Sequence, residues 1–230
     1  MSALVTQASN ERTTIRVIVV EDHALLAHAL TRALREIGFV AESVVPNADA
    51  EVVDAVAEFR PEVVLLDLDL GDLGSSVRLI PDIRTLGSKV VVVTGEASRV
   101  RWGECIEAGA DAVVTKAVSF DELLRRIAQI LDQNNGIVGA EQDELRACAR
   151  EHRRQEKARR ERFERLTPRE CDVLSSLTQG QSAEEIAASA FVSVTTVRSH
   201  IRSILQKLGV NSQLAAVAAA TRSNWRNPQD

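Results

Sequence analysis

Val63-Val64-Leu65-Leu66-Asp67 sets four large apolar residues directly against one carboxylate. An unbroken apolar run this short suits a strand buried on both faces, with Asp67 emerging where the strand ends. The same unit recurs on either side of it. Ile15 to Val20 is rich in β-branched residues and runs into Glu21-Asp22, while Phe39 to Val45, Val90 to Val93 and Ala112 to Val114 can each form a further strand. Between these runs apolar residues return at helical spacing: Leu25, Leu26, Ala29, Leu30, Ala33 and Leu34 before Gly38, then Ala50 to Phe59 before Pro61. Further helices are expected over Val77–Leu86, Val100–Glu107 (capped by Gly109) and Phe120–Leu131. Five buried strands alternating with helices predict an α/β domain with a parallel sheet covered on both faces. Ligands of such sheets lie beyond the carboxyl ends of the strands. Glu21, Asp22, Asp67, Thr94 and Lys116 all fall there.

Three carboxylates in one crevice repel one another unless a cation stands among them. A hard divalent ion with oxygen ligands answers that need, and Mg²⁺ is the usual choice beside phosphate. Asp67, directly after the central strand, is the candidate nucleophile, since a carboxylate can form an aspartyl-phosphate. Lys116 would neutralise charge on the phosphoryl oxygens, and Thr94 could donate a hydroxyl hydrogen bond to one of them. Singly, an Asp after a strand is commonly a turn residue and a Lys there is commonly solvated. The set of five at one sheet edge is what points to chemistry.

The remaining chain is different in kind. Residues 1–139 carry 13 basic and 21 acidic side chains, residues 140–165 carry 9 and 7, and residues 166–230 carry 6 and 5. An acidic first domain cannot hold a phosphate backbone by bulk charge, so any nucleic-acid contact belongs to the second half. Residues 133–165 read as a charged helical linker with Glu156–Arg160 and Glu161–Arg165 at i,i+4 spacing, and with Leu145 and Phe163 as its main large apolar residues. No heptad persists beyond Leu145, Ala149 and His152, which argues against a coiled coil. Residues 1–12 and the tail from Thr221 are polar and are expected to be disordered or frayed. Cys105, Cys148 and Cys171 form no CxxC pair, which argues against a disulfide framework or structural zinc and fits a reducing cytoplasm. No signal peptide or membrane span is expected.

From Leu166 the pattern is helical. Thr167-Pro168-Arg169-Glu170 combines an N-cap, a proline at the first helical position and a capping-box glutamate. Gly180 ends that helix, Ser182 caps a short second one, and Ser193 caps a third whose buried side carries Val197, Ile201, Ile204, Leu205 and Leu208. A last helix spans Leu214–Ala220. A short helix, a tight turn and a helix with exposed arginines near its start form a helix-turn-helix arrangement. Periodicity alone does not separate this from an ordinary small helical bundle.

Two resemblances sharpen both readings. Val19-Val20-Glu21-Asp22-His23, Val64-Leu65-Leu66-Asp67-Leu68, Val93-Thr94 and the run from Ala108 to Lys116 resemble the receiver domains of bacterial two-component response regulators. The resemblance implies a flavodoxin-like (CheY-like) fold of strand order 2-1-3-4-5 over residues 13–132 and phosphotransfer from a sensor histidine kinase to Asp67. It also implies Mg²⁺ on Asp22, Asp67 and the Asp69 backbone carbonyl, with Glu21 supporting. Two positions depart from the pattern: Gly71 stands where the family usually has Pro, and Val113 where it usually has a mobile aromatic residue. Leu166-Thr167-Pro168-Arg169-Glu170, Glu185-Ile186-Ala187, Thr195 to Ile201 and Ile204 to Val210 are similar to the four-helix output domain of LuxR/NarL-type regulators, over residues 166–222. That similarity implies a non-enzymatic DNA-binding regulator. Arg198, Ser199 and Arg202 would enter the major groove, Thr196 and Lys207 would hold phosphates, and Leu214, Val217 and Ala218 would pair two copies as a homodimer on double-stranded DNA. The alternative is a phosphorylation-independent adaptor that uses the receiver and the C-terminal helices for protein contacts.

Overall fold

The computed structural model describes residues 14–132 and 136–228. Five strands, β1 (Arg16–Val20), β2 (Val40–Val44), β3 (Val63–Asp67), β4 (Lys89–Thr94) and β5 (Ala112–Thr115), pair in parallel in the order β2-β1-β3-β4-β5. Helices α1 (Ala24–Glu36), α2 (Asp49–Phe59), α3 (Ile80–Thr85), α4 (Arg99–Glu107) and α5 (Phe120–Leu131) make the crossovers. Side chains alternate across the pleat. Val17, Val19, Val63, Leu65, Val91 and Val93 therefore enter one core with Leu34, Leu123 and Ile127, while Ile18, Val20, Val64, Leu66, Val90 and Val92 enter the other with Val52, Ile83 and Cys105. Burial on both faces is why β1, β3, β4 and β5 read as apolar runs, whereas β2 (Val40-Ala41-Glu42-Ser43-Val44), at the sheet edge, buries only Ala41 fully and is not the buried apolar strand expected.

The helix expected over Val77–Leu86 is shorter. A 3₁₀ turn occupies Ser76–Leu79, and α3 begins only at Ile80. Ser76 is drawn inward, its hydroxyl donating to the Asp67 carbonyl at 2.6 Å. Pro81, which has no N–H to donate, sits in the first turn of α3, where none is needed.

The charged segment is one helix, α6 (Gly136–Glu164), but it is not simply exposed. The described residues divide into two compact units, one running to Arg150 and the other starting at Glu151, so α6 contributes to both. In the first unit Leu145 and Ala149 are buried. Phe163 is buried in the core of the second. The exposed pairing also differs from expectation, since Glu156 meets Arg159 at 2.7 Å, one turn position earlier than Arg160.

The second unit continues with α7 (Pro168–Thr178), α8 (Ala183–Ala190), α9 (Val194–Leu208) and α10 (Gln213–Arg222). Its caps follow the sequence. Thr167 and Ser182 each form a complete capping box, with Glu170 and Glu185 respectively, and Ser193 accepts from the Thr196 amide at 3.0 Å. The tail is a correction. Trp225 stacks on Phe163 with ring centroids 5.8 Å apart, and Asn227 donates to Asp172 at 3.2 Å, because a large aromatic ring finds an apolar seat beside α6. The disorder expected for residues 1–12 lies outside the described residues.

Candidate functional site

All five strands run the same way, so their carboxyl ends share one edge. Register does the rest: Val20 lies beside Leu66, Asp67 beside Val93 and Thr94 beside Thr115. The Lys116 amide donates to the Thr94 carbonyl at 2.7 Å, which sets its side chain just beyond β5. Residues 95 positions apart in the chain thereby meet. Lys116 Nζ donates to Asp67 Oδ2 at 2.7 Å and lies 2.8 Å from Glu21 Oε2.

The three carboxylates do not have equal roles. Asp67 is 4% exposed and Glu21 2%. Asp22 and Asp67 line a cavity of about 460 Å³ together with His23, Asp69, Thr94 and Lys116. Glu21 lies behind that wall and anchors Lys116. Burial pushes the Glu21 carboxyl above its ordinary range, opposed by Lys116 and reinforced by Asp67. Burial works against the Lys116 charge as well, but Asp67 and Glu21 outweigh it and hold the ammonium charged. At the mouth, His23 Nδ1 stands 2.7 Å from Asp22 Oδ1 and 3.1 Å from Glu21 Oε1. Although burial opposes it, His23 holds Asp22 below the usual carboxylate range. The Thr94 hydroxyl accepts from the Glu96 amide at 3.0 Å.

Glu21, Asp22, His23 and Asp67 each bring a ligand atom within 4.8 Å of the others. The donors are mostly carboxylate oxygens, which suit a hard divalent cation. The loop after β3 is shaped to the same end. Gly71 has φ +59°, and a Cβ there would stand 2.8 Å from Asp22 Oδ2. Neither proline, whose φ is fixed near −65°, nor a Cβ-bearing residue fits without moving Asp22. The departure at Gly71 thus leaves Asp22 its present position on the pocket wall.

Val113 is buried among Cys105, Ile106 and Leu145. It has no freedom to swing as an aromatic switch would. Of the pocket's polar lining residues, His23, Glu96 and Arg101 carry no role in the sequence pattern. His23 was quoted only as part of a strand-end motif. Arg101 lies in the first turn of α4, seven positions past Thr94, and lines the pocket from the start of that helix.

In the second unit α8, a turn through Phe191 and α9 form the helix-turn-helix. Phe191 closes α8 in the left-handed region at φ 54°. Val197, Ile204 and Leu208 face inward, while Arg198, Ser199 and Arg202 share the exposed side of α9. Arg198 Nη2 contacts Glu184 at 2.9 Å, an exposed pair of little energetic weight. Thr196 is exposed near the start of α9, its hydroxyl 2.8 Å from that of Ser193. Lys207 is placed otherwise than expected. Its ammonium donates at 2.6 Å to Glu170, a buried carboxylate on α7 that also accepts from the Ser203 hydroxyl and the Thr167 amide. A buried carboxylate needs a compensating charge, and Lys207 supplies it, tying α9 to α7. On α10, Leu214 is 79% exposed, whereas Val217 and Ala218 are half-buried.

Two family models match the chain. The response regulator receiver domain matches residues 17–128, and the bacterial regulatory proteins of the luxR family match residues 164–220. The chain is 28% identical over 213 residues to a nitrate/nitrite response regulator protein homolog of Haemophilus influenzae, covering 91% of this chain and 98% of that one. It is 26% identical over 216 residues to the response regulator protein VraR of Staphylococcus saprophyticus, covering 91% and 98%. To the transcriptional regulatory protein DegU of Brevibacillus brevis it is 26% identical over 231 residues, covering 92% and 94%. The acidic sheet-edge pocket and the capped helix-turn-helix fall within the two matched segments, and the chain belongs to the two-component response regulators that join a receiver domain to a LuxR-type output domain.

Proposed function

We propose that this chain is a cytoplasmic transcription regulator whose DNA binding is switched by phosphorylation of Asp67. The observation that carries this reading is the 2.7 Å contact between Lys116 Nζ and Asp67 Oδ2 in a cavity also lined by Asp22 and Thr94. An Asp67 oxygen attacks the phosphorus of a phosphohistidine on a sensor kinase. The new O–P bond forms as the P–N bond breaks, and the imidazole leaves with the electron pair. Lys116, already charged beside the nucleophile, stays with the oxygens as negative charge moves onto the phosphoryl group. Thr94 gives up its present role as acceptor and rotates its hydroxyl to donate to one of them. Asp22, Asp67 and the Asp69 carbonyl would hold Mg²⁺, which supplies charge neutralisation to the phosphoryl oxygens when bound. Nothing beyond this transfer and its hydrolysis is turned over, so the chain is a switch and not an enzyme.

In the output domain Arg198, Ser199 and Arg202 enter the major groove, with Thr196 on a phosphate near the start of α9. Exposed Leu214, with Val217 and Ala218, pairs two copies on double-stranded DNA. Intact-mass measurement of the full chain treated with acetyl phosphate tests the first step. One added phosphoryl group is expected with Mg²⁺, and none with EDTA or in Asp67→Asn. Labelling that persists in either control would overturn the assignment.

A further inference from the structure

The cavity beside Asp67 is lined by four acids, Asp22, Asp67, Asp69 and Glu96, and among the described residues lining it only Lys116 and Arg101 are permanently cationic. A phosphorylated Asp67 trades one negative charge for about two. Lys116 is already divided between Asp67 and Glu21. Arg101, by contrast, is held loosely. Its guanidinium lies 3.4 Å from the half-exposed Glu96 and donates to the Ser75 hydroxyl at 3.2 Å. Ser75 belongs to the loop that follows Asp67, and the next residue, Ser76, is bonded to the Asp67 carbonyl.

Arg101 stands in the first turn of α4, and two residues on the same helix meets α6 with no side chain between them. A Cβ on Gly103 would lie 2.7 Å from Ala149 Cβ and would also collide with the Leu145 carbonyl. Polar contacts hold the two helices at both ends, Arg99 to Glu144 at 3.2 Å and Glu107 to Arg150 at 3.3 Å. Gln142 adds a hydrogen bond to the Asp111 carbonyl at 2.7 Å, and Arg126 pairs with Glu141 at 2.7 Å. Leu145 itself is buried in the same cluster as Val113 and Cys105.

From this we infer that Arg101 is a second cationic ligand of the phosphoryl group and that α4, through Gly103, carries its movement to residues 139–150 of α6. Arg101 exchanges Ser75 for a phosphoryl oxygen, which shifts the first turn of α4. Because packed backbone has no slack to absorb such a shift, the α4–α6 contact must rearrange with it. This rests on Asp67 being the phosphoacceptor, and the experiment separates the two.

The full chain, Arg101→Gln, Arg101→Lys and Gly103→Ala are treated with acetyl phosphate and Mg²⁺. Labelling rate is followed by intact mass, and amide hydrogen exchange is compared at matched phosphorylated fraction. In the unsubstituted chain, labelling should change exchange several-fold over residues 99–107 and 139–150. Arg101→Gln should label about tenfold more slowly and lose that change, while Arg101→Lys should recover part of both. Gly103→Ala should exchange faster over residues 139–150 even without donor and lose the further change on labelling there; if that change persists in full, the path through Gly103 is overturned. Matching thermal midpoints for the two Arg101 variants and the unsubstituted chain will show that the fold is retained. If the unsubstituted chain takes up no label, the Asp67 reading fails. If it labels and Arg101→Gln either labels equally fast or keeps the full exchange change, the role of Arg101 is overturned.

Discussion

Gly71, lacking a Cβ, leaves room for Asp22 on the pocket wall. Its φ of +59° lies where a side-chain-bearing residue costs about 1–2 kcal/mol. The larger effect is local, because the methyl group of Gly71→Ala would press on Asp22 Oδ2. That substitution should lower stability only modestly yet slow Mg²⁺-dependent labelling of Asp67 by tenfold or more, with a higher Mg²⁺ concentration needed for half-maximal rate. A labelling rate and Mg²⁺ dependence equal to those of the unsubstituted chain would mean that Asp22 is free to move aside. Glycine at this position was legible in the sequence, but its purpose was not. Two residues 49 positions apart have to be brought together before the clash exists.

Among the elements, α7 and α9 are joined by a polar lock. Burial alone would raise the Glu170 carboxyl, but Lys207, Ser203 and the Thr167 amide outweigh it and bring its pKa down to about 2. A carboxylate depressed in the folded state stabilises it above its ordinary value of 4.5, and that stabilisation is lost as pH falls through the folded value. At about 1.4 kcal/mol per unit the effect is roughly 3 kcal/mol. Protection of the amides over residues 167–208 in the full chain, corrected for the intrinsic exchange rate at each pH, should therefore fall between pH 4.5 and 2. In Glu170→Gln it should be low already at pH 7, because Lys207 loses its partner. Exchange in the variant matching that of the unsubstituted chain at pH 7 would show that the lock contributes nothing. The capping box that contains Glu170 was readable from four residues, since caps are local. Its ion pair with Lys207 was not, and the sequence reading accordingly sent that lysine to DNA.

For the whole molecule, the output domain is poor in cations. Residues 166–230 hold 6 basic side chains, and Lys207 is committed to Glu170. On the proposed function, useful affinity is expected to need two heads on adjacent half-sites, about 10 base pairs centre to centre. Arg198, one turn nearer the start of α9, is expected to read a base, and its pair with Glu184 is exposed and easily released. Arg198→Ala should cost about 1–3 kcal/mol on the cognate duplex and less on scrambled DNA. If Arg202 holds the backbone, Arg202→Ala should weaken all duplexes alike and lower the salt slope by about 1 per head. Fluorescence anisotropy across salt concentrations distinguishes them. Unchanged cognate affinity in both variants would remove α9 from the groove.

What the sequence by itself determined is the part set by local periodicity: five apolar strands, the helices between them, the serine and threonine caps, and the polar residues at the strand ends. A parallel sheet converts strand-end position directly into proximity, so Glu21, Asp22, Asp67, Thr94 and Lys116 could be grouped before any coordinates. Only the tertiary structure decided which side chains pair once they meet. It placed Arg101 on the cavity wall, set Gly103 against α6 and seated Trp225 on Phe163. None of these contacts has a period or a spacing. Each depends on where a crossover helix or a chain end packs, and that is settled by the summed burial of residues distant in sequence.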